Sequence, residues 1–299
     1  MTNDAHCHFF SPAFFDALAR QRGGGADGAG LWRELQWDDP STNDALADRW
    51  VRELDANGVA RAALIASVPG DEASVAAAVA RHPSRFVGCF MLDPSAADAS
   101  DRARRALMEL GLRVLCLFPA MHHVPLHDER TTRVVDTAAA VPQAAVFVHC
   151  GVLSVGVRKR LRLPSRFDLR LGDPLGVARL ALAFPQVPFI IPHFGAGLFR
   201  EALMAADACA NVHLDTSSSN NWIRYTPGLS LEAVLKAALA VAGPSRLLFG
   251  TDSSFYPRGW QRAIHDEQRG IIEHLGVSAA DAALVFGGNF ERLFPHRSA

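Results

Sequence analysis

The sequence of 299 residues contains eight short apolar runs separated by alanine-rich stretches, and this alternation constrains the fold most. Several runs, such as AALIAS, AAVFVHC and FIIPHFG, are apolar at successive positions. Such continuous runs are typical of parallel strands that are buried on both faces. Strands are predicted over residues 2–8, 62–67, 86–92, 113–118, 145–150, 189–193, 212–216 and 247–252.

Helical stretches alternate with these strands, at residues 71–81, 100–109, 130–140, 174–183, 198–208 and 231–241. Strand and helix alternating eight times is the pattern of an α/β (β/α)8 TIM barrel. The alternative is an open doubly wound sheet, but no glycine-rich phosphate loop follows the first strand. The sequence therefore predicts one barrel domain over residues 1–299, with a long insertion at residues 9–49 after strand 1.

Polar residues stand where several of the predicted strands end: His8, His149, His193 and Asp252. Active sites of (β/α)8 barrels lie at the C-terminal ends of the strands. Side chains alternate faces along a strand, so His6 and His8 are expected to point the same way and to bind one metal ion together. Four strands are thus predicted to deliver metal-binding or proton-carrying groups to one mouth of the barrel.

A set of motifs along the whole chain carries a family resemblance. DAHCHF, FVHCG, IPHFGAG, LFGTDSSF and GNFERLF together resemble the amidohydrolase superfamily. The resemblance is strongest to the amidohydrolase 2 branch that contains 2-amino-3-carboxymuconate 6-semialdehyde decarboxylase and related decarboxylases and lactonases. It implies a metal-dependent barrel with His6, His8, His149 and Asp252 as metal ligands, and with His193 as a catalytic partner.

This ligand set has a chemical preference. Three imidazoles and one carboxylate suit one divalent ion, with zinc expected and manganese, iron or cobalt as alternatives. Such an ion lowers the pKa of water to about 7 and so supplies hydroxide at neutral pH. Asp252 is expected to exchange protons with this water, and His193 to orient it. A second metal is not expected, because the strands carry no lysine and strand 4 offers only Cys116 as a soft ligand.

Further polar residues are expected to support the site. Asp4 is predicted to share a face with His6 and His8, one step deeper in the barrel, and to hydrogen-bond a ligand from behind. Asp215, at the end of strand 7, is predicted to do the same and not to bind metal. The cluster His122, His123 and His127 is interpreted as a solvated loop with one substrate contact.

Two segments are expected to define the substrate. The insertion at residues 9–49 is rich in glycine and aromatic residues, and such long segments serve as lids or as helical covers. The loop after strand 5, VRKRLRLPSRFDLRLGDP, is strongly basic. Arginine forks bind carboxylates in bidentate fashion, so Arg158 in this loop and Arg258 beyond Asp252 are candidate contacts for an anionic substrate.

The reaction stays open between two chemistries that need the same ligands. The main prediction is hydrolysis of a lactone, amide or ester in a small carboxylated or aromatic compound. The alternative is non-oxidative decarboxylation of an aromatic or muconate-type acid. The related decarboxylases use an arginine from the segment after strand 1, where Arg20, Arg22 and Arg33 are available. A barrel that binds a ligand without turnover is the third hypothesis.

The charge balance and the lengths of the apolar runs limit the kinds of partner that are expected. Thirty basic residues nearly balance 31 acidic ones, so neither nucleic acid nor an anionic membrane is expected as a partner. No cationic leader precedes Asp4 and no apolar run reaches the roughly eighteen residues that span a bilayer. A cytoplasmic enzyme with reduced cysteines and a small-molecule substrate is expected, and the family tendency suggests a homodimer.

Overall fold

The computed structural model describes residues 1–218 and 220–296. Eight strands form a single parallel sheet in which neighbours in sequence are neighbours in space. The strands are β1 (Thr2–Phe9), β2 (Val59–Ala66), β3 (Phe86–Leu92), β4 (Val114–Leu117), β5 (Ala145–Val148), β6 (Phe189–Ile191), β7 (Val212–Asp215) and β8 (Leu247–Leu248). All eight predicted strands are therefore confirmed, although β6 and β8 end earlier than predicted.

Hydrogen bonds between β1 and the segment after β8 complete the barrel. The Ala5 amide donates to the Phe249 carbonyl at 2.8 Å, and the His8 amide donates to the Ser253 carbonyl at 2.7 Å. In the opposite direction, the Asp252 amide donates to the His6 carbonyl at 2.9 Å. The first and last strands thus meet, as the prediction of a (β/α)8 barrel requires.

Helices alternate with the strands around the barrel. They are Pro12–Arg22, Gly28–Glu34, Asn43–Ala56, Glu72–Arg81, Ala99–Arg104, Pro119–His122, Glu129–Ala139, Gly156–Arg160, Pro174–Ala183, Phe199–Ala208, Leu231–Val241, Arg262–His274, Ala279–Ala283 and Asn289–Leu293. Each predicted helix is present with shifts of a few residues at its ends. Within the described residues, no helix is long and apolar enough to cross a membrane.

The apolar core has two layers. Side chains inside the barrel, among them Val87, Phe147 and Ile190, pack on one another, and Phe290 and Phe294 from the last helix join them. A larger layer lies between the strands and the surrounding helices. Because both faces of each strand are buried, successive residues along a strand must be apolar, which explains the continuous runs in the sequence.

A register shift interrupts β1 between Asp4 and Cys7. One extra residue lies in this part of the strand relative to β2, since Asp4 pairs with Ala62 whereas Cys7 pairs with Leu64. The bulge resets the alternation of side chains. Cys7 packs in the outer layer, and Asp4 hydrogen-bonds the indole of Trp260 and not an imidazole of the site. The expectation that Asp4 shares a face with His6 and His8 is therefore wrong.

The segment between β1 and β2 is mostly helical. Two of its helices, Pro12–Arg22 and Gly28–Glu34, are extra to the barrel repeat, whereas Asn43–Ala56 is the helix that connects β1 to β2. Phe14, Phe15 and Leu31 of the extra helices pack with apolar residues of the loop after β5: Val157, Leu161 and Leu163. These two helices of the predicted insertion at residues 9–49 thus pack beside the loop after β5, and a lid function of the insertion stays a prediction.

His213 on β7 predicts a pH dependence of stability. Burial, with Arg292 and Arg246 nearby, lowers the pKa of His213 to about 4. Because an unfolded histidine titrates near 6.5, the unfolded chain binds a proton between pH 6.5 and about 4 that the folded chain does not. The free energy of unfolding therefore falls as the pH falls through this window. By pH 4.5 it should have fallen by about 2 kcal/mol less in His213→Gln than in the wild type.

Urea unfolding of the metal-free protein at pH 7.5 and pH 4.5 measures this effect. The exposed His274→Gln is the matched control for the loss of one imidazole, since its side chain is 74% exposed. Equal pH slopes for wild type and His213→Gln would contradict the prediction.

Candidate metal centre

Three predicted ligands converge at the C-terminal mouth of the barrel. The Nε2 atoms of His6 and His8 lie 3.4 Å apart. Oδ1 of Asp252 lies 3.6 Å from Nε2 of His6 and 3.0 Å from Nε2 of His8. Of the described residues, these three form the group of histidine, cysteine and carboxylate side chains that could hold one metal ion.

Hydrogen bonds on the far side of each ring fix which nitrogen faces the centre. Nδ1 of His6 lies 2.7 Å from the carboxylate of Asp215, which can only accept a hydrogen bond when ionised. Nδ1 of His8 lies 2.7 Å from the Ser67 hydroxyl. That hydroxyl donates to the Ile65 carbonyl, so it accepts from His8. Both rings then carry their proton on Nδ1 and present the Nε2 lone pair to the centre.

This arrangement fits a divalent cation. Two nitrogen lone pairs and a carboxylate oxygen face one another without a hydrogen between them, and such a set repels unless positive charge lies among them. Burial alone would lower the pKa of His6, but the carboxylates of Asp215 and Asp252 outweigh it and raise that pKa. These carboxylates therefore favour positive charge beside His6, and the donor atoms of the centre are those that zinc and neighbouring transition metals bind.

Asp252 is held as an anion. Burial raises its pKa, but the neighbouring imidazoles of His8 and His6 act more strongly and hold the pKa well below its usual range. Its backbone has a φ of 59°, in the left-handed region that few residues other than glycine adopt. The chain therefore turns sharply at Asp252.

His149 follows β5 and lines the same cavity as the three clustered ligands. It lies outside their group, and its ring stands 5.4 Å from the ring of Phe118 and 5.3 Å from that of His193. Burial, with His193 and His6 nearby, holds the pKa of His149 well below its usual range. Its buried Nδ1 has no hydrogen-bond partner among the described residues, so a neutral nitrogen is available as a further ligand.

His193 follows β6, with its ring centroid 5.0 Å from that of His6. Its Nδ1 lies 3.2 Å from the Ser217 carbonyl, which accepts hydrogen bonds only, so Nδ1 is the donor. Nε2 is left as an acceptor. Burial and the proximity of His6 lower the pKa of His193, so the neutral ring is favoured.

Backbone strain and one glycine bring the loops after β5 and β6 together. His193 and Phe194 have φ values of 54° and 52°. Gly151, two residues beyond His149, lies so close to this turn that an added Cβ would stand 2.2 Å from the Gly195 carbonyl oxygen. Only glycine fits there, and its close approach places His149 beside His193.

Asp4 supports the site through the backbone. Its Oδ1 accepts hydrogen bonds from the amides of His6 and Thr251, at 2.9 and 3.1 Å. Its Oδ2 accepts from the hydroxyl of Thr251 and from the indole of Trp260, at 2.6 and 2.7 Å. The carboxylate thereby ties the bulge of β1 to the segment that leads into Asp252.

The cavity beside the centre has a volume of about 490 Å³. An aromatic stack forms one wall, in which Phe10 lies 4.0 Å from Phe14 and 5.8 Å from Trp37, and Trp37 lies 3.8 Å from Phe255, as measured between ring centroids. Arg258 lies over the Phe255 ring at 4.5 Å and also lines the cavity. An apolar, planar surface thus adjoins a guanidinium group.

Other predicted residues lie elsewhere. Arg158 lines a neighbouring cavity together with His122 and His123, and His127 is exposed. Cys116 is buried inside the barrel, where its thiol donates to the Val114 carbonyl. The arginines at positions 20, 22 and 33 are not among the described residues that line the metal-site cavity.

Sequence reasoning missed two serines and one aromatic residue of the site. Ser67 and Ser217 fix the rings of His8 and His193, and Phe255 completes the aromatic stack. Ser67 ends the second predicted strand at the same level as the ligands, and Ser217 stands two residues after Asp215, so their positions carried a signal. Phe255 follows Asp252 closely but gives no sign in the sequence that it contacts Trp37.

Comparison with known proteins identifies the family. A family model described as amidohydrolase matches residues 3–296. The chain belongs to the amidohydrolase family. No curated protein sequence matches this amidohydrolase.

Solved structures share its fold. A 5-carboxyvanillate decarboxylase from Sphingomonas paucimobilis is 20% identical, with a TM-score of 0.66 over 99% of both chains. An amidohydrolase from Burkholderia multivorans with bound zinc is 17% identical, with a TM-score of 0.68 over 99% of this chain and 100% of that chain. A 5-carboxyvanillate decarboxylase from Novosphingobium aromaticivorans, complexed with manganese and 4-hydroxy-3-methoxy-5-nitrobenzoic acid, is 18% identical, with a TM-score of 0.67 over 98% of this chain and 96% of that chain.

Metal analysis of the purified amidohydrolase tests the centre. We expect about one equivalent of a transition metal in the wild type and its loss in His6→Ala and Asp252→Ala, because each variant removes a converging donor. Inductively coupled plasma mass spectrometry gives the stoichiometry. The surface pair His82 and Asp48, whose side chains lie 2.7 Å apart, provides controls of the same residue types. Metal retained in both site variants would contradict the prediction.

Asp215→Asn separates a supporting role from direct coordination. The amide keeps the shape but removes the charge that holds the proton on Nδ1 of His6, so metal affinity should fall by about 10- to 100-fold while binding remains measurable. Competition with a chromophoric chelator measures the dissociation constant. A complete loss of binding would assign Asp215 to the ligands, and an unchanged constant would remove it from the site.

Proposed function

We propose that this amidohydrolase is a mononuclear metal-dependent hydrolase that cleaves a lactone, amide or ester in a small carboxylated or aromatic compound. The observation that carries the proposal is the convergence of His6, His8 and Asp252 beside a cavity that has an aromatic wall and a guanidinium group. His149 is the fourth proposed ligand, because its buried Nδ1 has no partner among the described residues. Zinc is the proposed metal, with manganese, iron or cobalt as alternatives.

A divalent cation at this site would polarise a carbonyl group and lower the pKa of water. The residues of the chain supply the proton transfers. Asp252, held as an anion, accepts the proton of the attacking water and passes it to the leaving group. His193, with its proton fixed on Nδ1 by Ser217, offers the Nε2 lone pair to orient the water or the substrate.

The cavity supports an aromatic or carboxylated substrate. Phe10, Trp37 and Phe255 provide flat surface for a ring, and stacked aromatic pairs contribute about 0.5–1.5 kcal/mol beyond the apolar area they bury. Arg258 is the proposed contact for a carboxylate. Its Nη2 lies 2.6 Å from the Ser254 hydroxyl and 3.3 Å from the Asp252 carbonyl, and these contacts hold the guanidinium at the cavity wall.

Decarboxylation of an aromatic acid is the second candidate. The bound nitrobenzoic acid of the Novosphingobium aromaticivorans decarboxylase is itself an aromatic carboxylate, and the cavity described above has the surfaces to hold one. Hydrolysis is preferred because the segment after β1 supplies Phe10, Phe14 and Trp37 to the cavity, and no arginine of that segment is among the described residues that line it. The related decarboxylases use an arginine from that segment.

The protein is proposed to act in a reducing compartment, the cytoplasm. All five cysteines, Cys7, Cys89, Cys116, Cys150 and Cys209, are free and buried. Free buried thiols suit a cytoplasmic protein, since disulfides persist mainly in oxidising compartments.

Turnover of the zinc-loaded enzyme tests the proposal. Aryl lactones and carboxylated aryl esters should be hydrolysed, and His193→Gln should lower kcat by about 10²- to 10⁴-fold while the metal is retained, because His193 carries a proton or orients water and is not a ligand. Assays by pH-stat and metal analysis of the same samples provide the two readouts, with the surface variant His82→Gln as control.

The same samples decide between the two candidates. Release of carbon dioxide from hydroxybenzoic acids, with no hydrolysis of any lactone or ester, would replace the hydrolase by the decarboxylase. Loss of metal in His193→Gln would instead make His193 a ligand.

A further inference from the structure

A second cavity adjoins the one beside the metal centre. It has a volume of about 620 Å³ and is called the outer chamber here, and the cavity of about 490 Å³ is the inner chamber. Six residues line both chambers: Phe14, Ser67, Met91, Met121, Val155 and Val157. Ser67 also hydrogen-bonds the ring of His8. The outer chamber therefore begins one side chain away from the metal ligands.

The outer chamber is cationic. Arg158 and Arg166 line it, and none of the described residues that line it is an aspartate or a glutamate. The hydrogen bonds of Arg158 go to neutral acceptors, because Nη1 donates to the side-chain oxygen of Gln21 and Nη2 donates to the Pro164 carbonyl. A half-buried guanidinium is thus held by groups that do not neutralise it.

Two residues that line the outer chamber also have a buried nitrogen that is unpaired in the described part of the chain. Nε of Arg158 and Nδ1 of His122 are buried and have no hydrogen-bond partner within the described residues. Buried polar atoms are nearly always paired in folded proteins, so unpaired ones indicate a missing ligand or solvent molecule. The unpaired Nε leaves one donor of the Arg158 guanidinium without an acceptor among the described residues.

We propose that the substrate spans both chambers and carries a second anionic group, such as a carboxylate, which binds Arg158 in the outer chamber. This inference rests on the proposed function, since the reacting group and its ring occupy the inner chamber. The second anion neutralises Arg158 and accepts hydrogen bonds from the guanidinium. The substrate class is therefore an elongated dianion, with the reacting group at one end and the carboxylate at the other.

Binding of matched probes tests the proposal. The probes are 4-(carboxyalkoxy)benzoates of increasing chain length, each compared with the 4-alkoxybenzoate of the same length, and isothermal titration calorimetry on the zinc-loaded full chain gives the dissociation constants. At one chain length the dicarboxylate should bind about tenfold more tightly than its partner, the size expected for a charge-assisted hydrogen bond. Arg158→Gln should abolish this advantage, and Arg158→Lys should keep part of it.

Arg170→Gln is the matched control. Arg170 is in the same loop, is paired with Asp168 at 2.7 Å and has a side chain that is 88% exposed. The Arg170→Gln variant should keep the full advantage of the dicarboxylate over the alkoxybenzoate. The alkoxybenzoate reports on the inner chamber in every variant, so a loosened loop in Arg158→Gln would weaken both probes instead of the dicarboxylate alone.

The outcomes separate the two proposals. An equal affinity of both probes in the wild type, or an advantage that survives Arg158→Gln, would overturn the outer-chamber anion site while leaving the inner site intact. A weakening of both probes in that variant would give Arg158 a structural role and would also overturn the anion site. A wild type that binds neither probe would overturn the proposed substrate class, and the outer-chamber site would fall with it.

Discussion

Two imidazole lone pairs and a carboxylate oxygen lie close together at the centre, and the rest of the site depends on this close approach. The Nε2 atoms of His6 and His8 stand 3.4 Å apart with Asp252 beside them. Left without a cation, this arrangement costs free energy, and the protein holds it through outer contacts to Asp215 and Ser67. The scaffold thus positions the donor atoms through contacts outside the centre, as expected for a rigid site on strand ends.

Irregular backbone concentrates at the same mouth of the barrel. Asp252 and His193 both have a positive φ, and the bulge in β1 between Asp4 and Cys7 includes His6. Each such feature costs energy locally and persists only where the surrounding packing imposes it. The regular barrel with its two apolar layers provides that packing, and His193 and Asp252 are two strained residues that face the cavity.

Much of this architecture could be predicted from the sequence. Continuous apolar runs gave the strands, because burial on both faces leaves a signal at every position. The ends of β6 and β8 were misjudged, since their apolar runs continue beyond the last residue that belongs to the strand. The predicted face of Asp4 was also wrong, because one extra residue in β1 inverts the alternation of side chains. No residue propensity marks the position of this bulge. Contacts such as Trp37 with Phe255 join distant segments and leave no local pattern.

The meeting of β1 with the segment after β8 has a consequence for synthesis. His6 leaves the ribosome before the strands β2 to β7 are made, whereas Asp252 emerges only after them, and the two must lie side by side. A nascent chain that stops short of Asp252 holds the first two clustered donors without the third, and its barrel lacks the hydrogen bonds that join its ends. Metal capture at full affinity is therefore a late event in biogenesis, and it distinguishes finished molecules from truncated ones.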